Sequence, residues 1–371
     1  MQPPVAQRRN WVKVLAIGKV NIMKAYRIVE WGKPAEFVDV PVPSPGPGEV
    51  LLRMRGAGLC RSDLDIMGST PGSAPYAEVL NPGFTLGHEN AGEVEFCGTG
   101  VHDLQPGDRV AVHNMHHCGH CEFCHHGHEQ SCTAFARGAI GMTRGVGIDG
   151  GLAEYMVVPR RELVPLGALD PVRVAPLTDA GVTSYRAVKA SLDRLYPGST
   201  ALVIGIGGLG AYAIQFLKLL SPATVFAVDR ASGRLADARR YGADHCLLPD
   251  ATTREAIMDL SGGRGADVII DLVGSDATLA LAAAVSRPHG RIVLIGLEGG
   301  TLKVGWGRIA TTCEFTISLG STLSDLQETC RLAADDRLLI EYEAFSLDDI
   351  ETAFHRLREG QLRGRAVITF P

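Results

Sequence analysis

The sequence predicts an α/β protein in two parts, a β-rich body followed by a doubly wound parallel sheet with helices on both faces. Three observations carry this. Residues 23 to about 176 hold short β-branched runs cut by Gly and Pro: "EFVDVPVP", "EVLLRMRGAG", "AGEVEFCG", "DRVAVHN" and "LAEYMVVP". That is the pattern of short strands separated by turns. The pattern changes at "STALVIGIGGLGAYAIQFLKLL", which reads as a buried strand, a glycine turn and a helix. Beyond it the apolar strands "ATVFAVD", "HCLLP", "ADVIIDLVG" and "RIVLIGL" alternate with the helical stretches "ASGRLADARRYG", "TTREAIMDL" and "DATLALAAAVSR". Strands alternating with helices build a parallel sheet.

The tail, "FSLDDIETAFHRLREGQLRGRAVITF", reads as a helix and a strand that return to the first body. The expected division is therefore residues 23–176 with 340–371, and residues 177–339. Residues 1–22 are expected to be a loose arm. Their "QRRNWVKVLAIGKVNIM" is only a faint likeness of a twin-arginine export signal, because Lys13 and Lys19 interrupt the apolar run and no small-residue cleavage site follows. The expected location is the cytoplasm.

Composition excludes several classes. A chain of 371 residues is too long for one small core. The hydrophobic share of 46% and charged share of 21% are ordinary for a globular protein. A net charge of −5 gives no basic footprint for nucleic acid, and no apolar run approaches the roughly 18 residues of a membrane span. The nine cysteines are odd in number and four are crowded together, which points to metal in a reducing compartment.

Gly205, Gly207 and Gly210 form G-x-G-x-x-G, with Gly208 and Leu209 inside the turn. The motif leaves an apolar strand and opens a helix, the context that lets a pyrophosphate sit at a helix N-terminus. Asp229 follows 19 residues after Gly210, at the end of the next strand. A carboxylate there would bind the adenosine ribose hydroxyls and repel a 2′-phosphate, so NAD is expected over NADP. The neighbouring Arg230 weakens that only slightly.

"HHCGHCEFCHHGHEQSC", His116 to Cys132, holds Cys118, Cys121, Cys124 and Cys132 in C-x2-C-x2-C-x7-C spacing. Four thiolates close a tetrahedral shell around Zn²⁺ and leave no open position, so the cluster reads as a structural staple. A zinc ribbon for nucleic acid is the rival, and it lacks a basic surround. His113, His116, His117, His120, His125, His126 and His128 are not needed by a saturated site and read as a solvated loop. A catalytic zinc needs three protein ligands and an open position, and Cys60, His88 and Glu89 are candidates away from the staple.

G-H-E-x2-G at Gly87 to Gly92, with Gly98 and Val101 downstream, resembles the signature of zinc-containing medium-chain alcohol dehydrogenases. The staple and glycine turn match that family in order and spacing, over about residues 23–371. The resemblance implies a GroES-like catalytic domain and a Rossmann cofactor domain. It also implies two zincs per chain and reversible hydride transfer between NAD and an alcohol. By it Cys60 and His88 are two ligands, and Asp179 in "VAPLTDAGVTSYRAV" takes the third place, as in a bacterial and archaeal branch. Taken singly, a Cys is usually a small core residue, and Asp179 could simply cap the helix beginning "AGVTSY".

The resemblance further gives Asp63 the other ring nitrogen of His88, Ser62 the alcohol proton, and Glu89 a carboxylate able to approach the metal. Asp65 stands where the outer relay residue is often histidine, and an ordinary carboxyl is a poorer proton acceptor near neutrality. Arg61 and Arg365 would bind the pyrophosphate, and the backbone of Val273, Ile295 and Leu297 the nicotinamide carboxamide. Asn114 falls where a bulky pocket residue is common, hinting at a roomier or more polar pocket. "PLTDAG" and "LREGQLRGRAV" resemble the branch acting on secondary alcohols and ketones. A polyol or amino-alcohol dehydrogenase is the nearest rival. A non-catalytic NAD- and zinc-binding relative is the distant one, and would be expected to have lost the ligands. "CEFTISLG" resembles the family's strand that pairs cofactor domains, so a homodimer or homotetramer is expected.

Overall fold

The strand Glu49–Leu59 organises the first body, its side chains alternating between buried and half-buried over most of its length. It pairs antiparallel with Glu89–Cys97, Tyr155–Pro159 and Arg365–Thr369. The seven-stranded sheet continues through Arg109–Val112 and Leu163–Pro165 on one side and Tyr342–Ser346 on the other. A three-stranded sheet of Glu36–Pro41, Ile22–Ile28 and Phe84–Thr85 adds Tyr26, Ile28 and Phe84 to the core built on Leu52, Met54 and Ile66. The computed structural model describes residues 21–371 except 138, 139 and 142, so nearly all of the expected N-terminal arm lies outside the described residues.

The second body is a six-stranded sheet in the order His245–Leu247, Thr224–Val228, Thr200–Ile204, Ala266–Asp271, Ser286–Leu294, Glu314–Ile317. Every pairing in it is parallel. Thr200–Ile204 and Ala266–Asp271 are buried throughout, as strands covered on both faces must be. Alternate residues serve opposite faces: Ala201 and Val203 pack with Ala213 and Phe216, while Leu202 and Ile204 pack with Ile257 and Val285. The strand order reverses between Thr200–Ile204 and Ala266–Asp271, which opens a crevice at their carboxyl ends.

The segment linking the bodies is wedged between them. Ala175 packs on Ala91 and Val367 of the first sheet. Tyr185, on the helix Ala180–Lys189, sets its ring 5.1 Å from that of Phe216. Capping boxes start two helices beyond those expected from the sequence. Arg61–Met67 is set by Cys60 and Asp63 in a capping box, and Leu323–Ala334 by Thr322 and Asp325 in another. Among the described residues no helix is long and apolar enough to cross a membrane.

Candidate active site

Strand register assembles the site. Glu89 lies opposite Gly58, and Ala366 lies opposite Leu59. Cys60, His88 and Arg365, each one residue beyond a paired position, therefore emerge together at one end of the sheet. Gly58 is needed for this packing, because a Cβ there would lie 2.1 Å from Glu89 Oε2. The wedged linker then brings in Asp179 from the other side.

Cys60, His88, Glu89 and Asp179 each offer a ligand atom, and these atoms all lie within 4.8 Å of one another. His88 Nε2 is 3.7 Å from Asp179 Oδ2 and 3.1 Å from Ser62 Oγ. His88 Nδ1 faces Asp63 Oδ1 at 3.1 Å. Asp179 occupies the N-cap position of its helix but makes no capping hydrogen bond there. Its Oδ1 instead accepts from Asn114 Nδ2 at 2.9 Å and Thr183 Oγ1 at 3.3 Å. A thiolate, an imidazole and a carboxylate converging in this way suit a divalent ion and neutralise its charge.

The staple cysteines pass a stricter geometric test. Zn–S bonds of about 2.3 Å in a tetrahedron put sulfurs about 3.8 Å apart. Here Cys118–Cys124, Cys121–Cys124 and Cys121–Cys132 are separated by 3.9, 3.5 and 3.9 Å, far beyond the roughly 2.05 Å of a disulfide. The amides of His120 and Cys121 donate to Cys118 Sγ, and that of Cys118 to Cys132 Sγ. Such donors stabilise thiolates.

The nearby histidines depart from expectation. His113 and His117 are buried rather than solvated. His113 Nε2 lies 3.0 Å from the carbonyl oxygen of Ser321 in the other body, and His116 Nδ1 lies 2.8 Å from Glu162 Oε1. They pin the staple's root to the bodies around it. His120, His125, His126 and His128 are exposed.

At the crevice, Gly205 takes φ +90°, and a Cβ on Gly210 would meet the Gly205 carbonyl oxygen at 2.2 Å. Glycine is required at both positions. Asp229 ends its strand with Oδ2 accepting from Ile206 N at 2.7 Å and Oδ1 from Ala231 N at 2.8 Å. Val273 follows the strand Ala266–Asp271, and Ile295 and Leu297 follow Ser286–Leu294, Leu297 being exposed. A cavity of about 300 Å³ is lined by Gly207, Gly208, Tyr212, Arg234 and Arg365. Arg365 spans this cavity and the ligand cluster: it is ion-paired with Glu89, and a Cβ on Gly208 would touch its Nη1. Arg61 and Asp65 are exposed on the helix that follows Cys60, Asp65 with its carboxyl partly buried.

Three features were missed from the sequence. The Glu89–Arg365 pair joins residues 276 apart, with no local signal. Thr183 lies one helical turn after Asp179, a spacing that could have flagged it. Arg234, which donates to the Ile206 carbonyl oxygen, lies one turn into the helix after Asp229.

Comparison with known proteins identifies the family. Residues 46–168 match the alcohol dehydrogenase GroES-like domain and residues 208–336 the zinc-binding dehydrogenase family. An NAD-dependent alcohol dehydrogenase of Sulfurisphaera tokodaii is 36% identical, covering 93% of this chain and 99% of its own. A D-arabinose 1-dehydrogenase (NADP(+)) of Saccharolobus solfataricus is 34% identical over 94% and 99%. The crystal structure of an Aeropyrum pernix alcohol dehydrogenase superposes with TM-score 0.85 at 35% identity, covering 94% of this chain and all of that one. The chain belongs to the zinc-containing medium-chain alcohol dehydrogenase family, a family of oxidoreductases.

Proposed function

We propose that this chain transfers hydride reversibly between NAD and an alcohol or its carbonyl partner, with secondary alcohols as the main substrates. One observation carries the reading: Cys60, His88 and Asp179, from three separate segments, converge beside Arg365, which also touches the glycine-turn helix. Those three residues would hold a catalytic zinc, and the four staple cysteines a structural one. When bound, the zinc supplies Lewis-acid polarisation of the substrate oxygen and NAD accepts the hydride.

The protein's residues do the rest. Asp63 orients the His88 ring. Ser62, at the metal-facing edge of that ring, takes the alcohol proton. Asp65, on the same helix, passes it outward. Partial burial raises the Asp65 carboxyl above its ordinary value, Arg61 opposes, and Asp63 and Glu298 add to the rise. A raised carboxyl answers the weakness expected of Asp in this place. Burial also raises the Glu89 carboxyl against the pull of Arg365, which keeps Glu89 beside the cluster as a brace and a reserve ligand. Arg61 and Arg365 serve the pyrophosphate, and Asp229, held by two amides, presents its remaining lone pairs to the adenosine ribose.

A sugar or polyol substrate is the second reading, favoured by the D-arabinose relative and by polar Asn114 near the cluster. The two readings separate on NADH absorbance with primary alcohols, secondary alcohols, polyols, amino alcohols and aldoses, before and after chelator dialysis. Chelator-sensitive oxidation that is fastest with secondary alcohols supports the main reading. No turnover with any class in zinc-loaded protein overturns catalysis altogether. Assembly would use the outer strand Glu314–Ile317, whose residues are all exposed, Ile317 at 71%. Light scattering of the wild-type chain against Ile317→Lys tests that.

A further inference from the structure

Asn114 is 2% exposed and makes one side-chain hydrogen bond, from Nδ2 to Asp179 Oδ1 at 2.9 Å. Its own Oδ1 is buried without a partner among the described residues. A buried amide with an orphaned acceptor is worse than an apolar side chain of the same size unless its donor does something. The backbone holds it firmly. The Asn114 carbonyl oxygen accepts from Arg144 N at 2.9 Å, and the preceding amide, His113 N, donates to the Glu162 carbonyl oxygen at 2.8 Å. Thr183 Oγ1 reaches the same carboxylate oxygen at 3.3 Å. Both donors thus converge on Oδ1, and the oxygen facing His88 is Oδ2.

We propose that Asn114, seconded by Thr183, is a positioning residue that makes Asp179 a one-oxygen ligand of the catalytic metal. The inference rests on reading Asp179 as a ligand. With Oδ1 tied by two donors, only Oδ2 is presented to the ion. A freed carboxylate could chelate through both oxygens and fill the position an alcohol must occupy. The same hydrogen bonds draw charge from the carboxylate, so the metal stays a stronger Lewis acid for the substrate oxygen.

The test uses full-length protein with cobalt at the catalytic site. Asn114→Leu removes the donor at similar volume, and Thr183→Val removes the second. The expected result is weakened cobalt d–d absorption, as for a rise from four to five ligands. Metal affinity by chelator competition should rise, because the freed carboxylate is a more electron-rich, two-oxygen donor, with a smaller change in the same direction for Thr183→Val. The pH at which kcat reaches half its maximum should move upward. In an Asp179→Ala background Asn114→Leu should change nothing further. An unaltered cobalt spectrum with affinity within about twofold of wild type in both variants overturns the proposal. If Asp179→Ala itself keeps the catalytic metal and its spectrum, the ligand reading has failed instead. Circular dichroism and cobalt uptake by the staple site verify that each variant is folded.

Discussion

Asp63 and Asp179 address opposite edges of the His88 imidazole: Asp63 Oδ1 lies 3.1 Å from Nδ1, and Asp179 Oδ2 lies 3.7 Å from Nε2. The first contact sets which nitrogen faces the metal position. The other oxygen of Asp63 accepts from Cys60 N at 2.8 Å. One buried carboxylate therefore caps a helix, places one proposed ligand and orients another.

Replacing Asp63 by Ala should release both. Metal affinity is expected to fall about 10–100-fold in competition with a chelator, and stability by about 1 kcal/mol from the lost cap. Unchanged metal retention in the variant would contradict the orienting role.

Asp179→Ala should cost one zinc per chain and nearly all turnover while the protein stays folded. Metal analysis beside thermal unfolding separates these effects. Turnover that survives with the lower zinc content would falsify the ligand assignment.

Glu162 gives a prediction about pH. It is fully buried; burial raises its carboxyl, but the His116 hydrogen bond and Arg144 charge outweigh this and bring it down from 4.5 to about 2. The folded value is the depressed one, so its contribution is complete above pH 4.5 and is lost as pH falls toward about 2. The size is about 3 kcal/mol at 1.36 kcal/mol per unit. Denaturant unfolding of wild type and Glu162→Gln should differ by roughly that amount at neutral pH and converge in acid. A gap independent of pH would show that the loss is one of packing.

Asp229→Asn should erode the preference for NAD. Hydrogen bonds to a charged group are worth about 1.5–3 kcal/mol, so kcat/KM with NAD should drop about 10- to 100-fold and that with NADP much less. Wild-type rates equal for the two cofactors would sink the charge argument before any variant is made.

The parts legible in the sequence are the local ones. The staple spans fifteen residues, Cys118 to Cys132, and its spacing alone brings four sulfurs within bonding range of one ion. The glycine turn is similar: Gly205 to Gly210 with a strand before and a helix after state their own geometry. His113 and His117, just before the staple, misled because polar residues near a loop read as solvated. The burial of His113 comes from Ser321, 208 positions away.

By itself the sequence determined the two bodies, the parallel sheet, the staple and the glycine turn, since each follows from periodicity or short-range spacing. Resemblance to a family nominated Cys60, His88 and Asp179 as partners. Only the tertiary structure decided that they meet, and how. Their approach depends on the register of Gly58 with Glu89 and of Leu59 with Ala366, and on a linker wedged between two cores. It also decided that Glu89 faces Arg365 and that Asn114 holds Asp179. Such contacts join residues far apart in the chain, and their energy comes from burial and charge pairing that exist only once both bodies have packed.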